Sequence, residues 1–152
     1  MKSLYLIIDT LALDANGHDA TLYLENQIPW ELRKVGLKSI TIYASDVSRI
    51  FKSQAFDFRH IFIHCDIINR DDNLFNNTKS DILAMIGAIN PPQMGPLKKS
   101  IIFKFDSCSY KSLKSTDFTS IRMYLTSSDN FQNPPFCQLN DTAITYELHF
   151  IE

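Results

Sequence analysis

The chain has 152 residues, with 15 basic and 17 acidic side chains and 45 % apolar residues. That length suits one domain with one sizeable core, and that composition excludes a disordered chain. A net charge of −2, with no basic run longer than Lys98-Lys99, argues against steering toward a polyphosphate.

Residues 3–13 are apolar on both parities, as in a strand covered on two sides or packed against another subunit. Asn16-Gly17 supplies a tight turn, and Thr21 to Glu25 returns as a partner strand. Pro29 places Ile28 to Leu32 at an edge or in a loop. Leu37 to Ala44 alternates, with Ile40, Ile42 and Ala44 inward and Thr41 and Tyr43 outward. Residues 46–56 fit either one helical turn capped by Asp46 or a loop.

Arg59 to Asn69 reads as a long strand, rich in β-branched and aromatic residues. Ile61, Ile63, Cys65 and Ile67 share a core face; His60, Phe62, His64 and Asp66 share the other, which meets water, a neighbouring subunit or a ligand. A polar connection follows over 69–78. Ser80 to Ile89 has spacing that suits a helix too, but Gly87 and Pro91-Pro92 bound it as a short buried strand. Gln93 to Pro96 is a loop. Ile101, Phe103 and Phe105 form one face of the next strand, and Tyr110 to Leu113 is a short extended piece. Ile121, Met123 and Leu125 alternate with Arg122 and Tyr124, and Ser127 to Asn130 turns the chain. The last strand is the clearest: Ile144, Tyr146, Leu148 and Phe150 inward, Thr145, Glu147 and His149 outward. About eight strands separated by turn residues, with no convincing long helix, predict an all-β chain. The fold expected is an antiparallel eight-stranded single jelly roll, a β-sandwich. It takes residues 1–152 as one domain, with residues 1–13 as an assembly arm or edge strand.

Three cysteines, Cys65, Cys108 and Cys137, are too few and odd in number for a disulfide framework. Asp9 interrupts the first apolar run, so no signal peptide is expected, and no run is long enough to span a bilayer. Synthesis in a reducing cytoplasm is expected, which leaves the sequons at Asn76 and Asn140 unmodified.

Catalytic signatures are weak. Four glycines match no nucleotide-binding loop, and no nucleophile elbow occurs. Cys65 follows His64 directly, so on a strand the two point to opposite faces and the imidazole cannot activate the thiol. Asp71-Asp72 lies in a polar loop and reads as solvated rather than as a glycosidase pair. His64-Cys65-Asp66 with the distant His149 has the spacing of a two-histidine, one-carboxylate iron site, as in oxygenases built on a jelly-roll-like barrel. The ligands of such a site point into the barrel, whereas the more apolar parity of both strands is the opposite one. A polar outer face on two strands is the preferred reading. Exposed aromatics are the stronger signal: Trp30, Tyr43, Phe62 and Tyr124, placed outward or at an edge, mark a protein interface.

Four segments in order resemble the penton-type single jelly-roll capsid proteins of polinton-like viruses and virophages: Phe62 to Ile68, Tyr110 to Leu113, Phe118 to Leu125 and Ala143 to Phe150. The likeness covers residues 58–151. It departs at Ser127-Ser128-Asp129-Asn130, where Asn130 stands for the family's turn glycine. The resemblance implies a virion component, made in the host cytoplasm and assembled as a homopentamer with a major capsid protein. It implies no enzymatic activity, no catalytic, cofactor or metal residues, no specific nucleic acid and no membrane span. A jelly-roll spike module that binds a receptor or glycan is the alternative, with the iron oxygenase behind it.

Overall fold

A computed structural model describes residues 2–10, 19–43, 61–75, 77–86, 93–94, 99–127 and 142–152. The segments read above as the Asn16-Gly17 turn, the 46–56 turn or loop and the Ser127–Asn130 turn lie wholly or mostly outside these residues, as do His60 and Cys137. The strands are β1 (Ser3–Asp9), β2 (Asp19–Tyr23), β3 (Lys34–Tyr43), β4 (Ile61–Cys65), β5 (Leu74–Phe75), β6 (Thr78–Lys79), β7 (Ile82–Ile86), β8 (Gln93–Met94), β9 (Ser100–Lys104), β10 (Lys111–Ser112), β11 (Ser120–Ser127) and β12 (Ala143–Ile151). Arg70–Asp72 forms a 3₁₀ turn capped by the Asn69 side chain.

Among the described residues eight strands have five residues or more: β1, β2, β3, β4, β7, β9, β11 and β12. They pair first with last: β1 with β12, β2 with β11, β3 with β9 and β4 with β7, all antiparallel. One sheet runs β1-β12-β3-β9-β8 with β10 added on β3, and the other runs β2-β11-β4-β7. This is one long hairpin rolled so that consecutive segments alternate between sheets, which is the jelly roll.

Alternation explains the layers. β12 buries every second side chain, and Ile144, Tyr146, Leu148 and Phe150 meet Ile63, Cys65, Met123 and Leu125 of the facing sheet in one core cluster. One register shift re-aims side chains on β3. Against β12 the register of β3 shifts between Glu147 and Leu148, so Val35 and Leu37 face the core ahead of the slip and Ile40 and Ile42 after it. Ile28 and Leu32 lie in a loop, as Pro29 requires, yet both are buried and close one end of the core.

Three expectations are corrected. The 59–69 strand ends early, at Cys65, because the chain turns at Asp66-Ile67 before Ile68 bridges Leu113. The polar connection over 69–78 contains the β5–β6 hairpin, turned by Asn77 at φ 62°, a left-handed conformation that asparagine tolerates. Gln93-Met94 is not a loop but a short strand on β9.

Candidate functional site

The outer face of β4 does not meet water. His64 is only 5 % exposed and Phe62 is buried as well, so β4 is covered on both faces. The cover over His64 is a polar cluster. The β4–β7 register slips between Ile63 and His64, and the Cys65 N–H donates to the Asp81 carbonyl at 3.0 Å, which brings Asp81 beside the imidazole. His64 Nδ1 lies 2.7 Å from Asp81 Oδ1, and Nε2 lies 2.7 Å from Thr126 Oγ1. Tyr124 stacks on the imidazole at 4.3 Å and donates its hydroxyl to Asp81 Oδ2 at 2.7 Å. Both ring nitrogens thus have a hydrogen-bond partner, Asp81 at Nδ1 and Thr126 at Nε2.

This order of groups, hydroxyl to imidazole to carboxylate, is that of a hydrolytic triad. Thr126, however, is buried on the β11 ladder opposite Phe62, which closes the hydroxyl to a substrate. The cluster ties β4, β11 and the β6–β7 connection together in a low-dielectric site, where satisfied polar networks rigidify a fold.

Burial raises the Asp81 carboxyl, but hydrogen bonds from His64 and Tyr124 outweigh it and leave the group below the usual carboxylate value. A depressed folded value stabilises the protein above the unfolded carboxylate pKa of about 4, and this is lost as pH falls through the folded value. Asp81→Asn is therefore expected to flatten the acid limb of the melting temperature against pH below about pH 4. An unchanged acid limb contradicts that role. The Tyr124 phenol is pushed well above its ordinary value, by burial first and then by Asp81.

The iron-site residues are not brought together. His64 and Asp66 belong with β4 in the second sheet, whereas His149 is on β12 in the first, and both imidazoles point away from the core between the sheets. Asp66 Oδ1 accepts from the Arg122 N–H at 2.9 Å and ends the β4–β11 ladder. Among the described residues no cluster of three His, Cys, Asp or Glu has metal-binding geometry. The Cys65 thiol is fully buried, and burial pushes its pKa up to about 12. Native alkylation with peptide mapping should modify Cys108, half-buried, before Cys65; preferential labelling of Cys65 contradicts the observed facing of β4.

The exposed apolar surface lies only partly where the sequence placed it. Trp30 and Tyr43 are exposed as expected, but Phe62 is buried and Tyr124 half-buried. On β1, Leu4, Leu6 and Ile8 pack on the core, while Tyr5 at 55 % and Ile7 at 64 % stand exposed on the outer face. The inward side chains of β1 thus have core partners, while Tyr5 and Ile7 keep much of their surface exposed. Tyr5 stacks on His149 at 4.2 Å, and His149 Nδ1 lies 2.6 Å from the Tyr110 hydroxyl. Burial and the neighbouring Lys38 hold His149 below the usual imidazole value. Arg122 forks onto Asp19 at 2.9 and 2.7 Å and covers the Tyr124 ring, the bidentate geometry that suits arginine. Sequence reading missed Asp81, Thr126 and Tyr5; only the two-sided apolarity of residues 3–13 pointed toward Tyr5.

The fold has a solved counterpart. The crystal structure of the mavirus penton protein superposes on this chain with a TM-score of 0.61 over 98 % of this chain and 99 % of that one. The two share the jelly roll. Sequence identity between them is 9 %. No protein-family model and no curated protein matches the chain. No helix among the described residues is long and apolar enough to cross a membrane.

Proposed function

We propose that this chain is a structural subunit of a viral capsid, placed at the fivefold vertex, where it forms a closed homopentamer beside a major capsid protein. The observation that carries this reading is the full-length likeness in fold to a virophage penton protein, 98 % of one chain on 99 % of the other. The order of the four strand-borne segments supports it. The aromatic and aliphatic side chains exposed on β1 also support it, because apolar groups left outward on a strand suit a protein contact. On this reading the chain is made in the host cytoplasm, acts in the virion and catalyses nothing. The buried Thr126-His64-Asp81 cluster serves stability.

Exposed Tyr23 and Trp30 favour a second reading, a jelly-roll spike head that holds a receptor or glycan on aromatic side chains. Immunogold labelling of particles purified from cells that make the chain separates the two. Gold at the vertices of the capsid shell supports the vertex subunit. Gold on projections above the shell supports the spike. Protein confined to the particle-free fraction contradicts both.

A further inference from the structure

The homopentamer reading requires two different surfaces per subunit, because a ring closes only through a heterologous contact in which one patch meets another. The molecule carries two unlike surfaces of matching chemistry. The first is a projection. Tyr5 and Ile7, 55 % and 64 % exposed, stand on the outer face of β1, the end strand of its sheet. One carboxylate flanks Ile7: Glu147, directly across on β12, which also accepts the Ser39 hydroxyl at 3.0 Å.

The second is a groove beside β7, the end strand of the other sheet. It has a volume of about 260 Å³ and is lined by Phe62, Leu74, Leu83, Met85, Ser109 and Lys111, among others. Leu74 and Met85 stand at its rim, 59 % and 38 % exposed. Its volume falls below the roughly 300–1,000 Å³ of small-molecule sites, so it suits one or two protein side chains better than a free ligand. Lys111 is its one cationic lining residue, and no carboxylate pairs with it among the described residues. The groove is removed from the projection, since β7 packs across the sandwich on β3, and β12 separates β3 from β1.

We infer that subunits join head to tail, with Tyr5 and Ile7 of one copy seated in the β7 groove of the next and with Glu147 facing Lys111. An apolar projection flanked by a carboxylate fits an apolar groove that holds a cation. Each surface is used once per subunit, as a closed ring demands. This assignment rests on the homopentamer reading.

Ile7→Glu and Met85→Glu test it in the full chain, because both side chains are exposed and neither supports the core. Circular dichroism checks folding, and Ile7→Ser and Met85→Ser replace either variant that melts early. Sedimentation velocity of wild type should show a ring. Each variant alone should fall to monomer, with assembly weakened at least ~30-fold, the loss expected at an interface hot spot. The decisive sample is the equimolar mixture. The Ile7→Glu copy keeps a good groove and the Met85→Glu copy a good projection, so the mixture should give a one-to-one dimer. Assembly of either variant alone as wild type, or a mixture that stays monomeric while wild type forms rings, overturns the head-to-tail contact only. Wild type that remains monomeric overturns the pentamer reading beneath it.

Discussion

Cys65→Asp is expected to leave the chain unfolded. Cys65 has no exposed surface and pairs with Met123 in the middle of the second sheet, facing the core cluster. The nearest charges that act on it include Asp66 and Asp81, which add to the cost of a second anion there. An unpaired carboxylate in such a place costs several kcal/mol even after it takes up a proton. Total stability of a domain this size is about 5–15 kcal/mol. Cys65→Ala is the control: it removes a small apolar group and should cost about 1–2 kcal/mol. Urea denaturation followed by circular dichroism distinguishes the two. A cooperative Cys65→Asp transition near that of wild type contradicts the buried position of β4.

Position 65 was legible because alternation assigns faces, and Cys65 falls with Ile61 and Ile63 on a face that carries no charge. The same logic made β12 the clearest strand, one face in the core and the other half-buried. It failed on the opposite face of β4. Period 2 tells which side chains point away from the core but not what lies over them. The groups over His64 come from 17 and 62 residues further along, Asp81 and Thr126. Neither separation leaves a local pattern, so the imidazole read as a surface group or a metal ligand. Parity also misleads across a bulge: counting by twos from Ile40 puts Leu37 outward, and the slip in β3 restores it to the core. The fold class survived these errors because it depends on strand number and order, which turn residues punctuate.

Gly36→Val should destabilise the protein by about 1–3 kcal/mol, the cost of overpacking a filled site. A Cβ at position 36 would collide with Cys108 Sγ and lie 3.1 Å from the Tyr110 ring. The space a side chain needs is already taken by the segment that leads into β10. To admit valine, Cys108 and Tyr110 must withdraw. That loosens the Lys111–Val35 pairing and the Tyr110 hydroxyl contact to His149, on which Tyr5 stacks. The effect therefore reaches the exposed β1 surface as well as stability. Cys108→Ala should recover part of the loss in a double-mutant cycle, because it removes the closest clash. Strict additivity of Gly36→Val and Cys108→Ala contradicts the close approach. No sequence signal identified this contact, since glycine at 36 reads equally well as a tolerated strand residue.

Vertex function stands or falls on closure of the ring. Native mass spectrometry of the purified full chain, with class averages from negative-stain images of the same sample, tests it most directly. The expected result is a single species of five subunits whose averages show fivefold rings. Monomers at every concentration tried, or a closed trimer, would contradict the vertex assignment, and the trimer would favour the spike head.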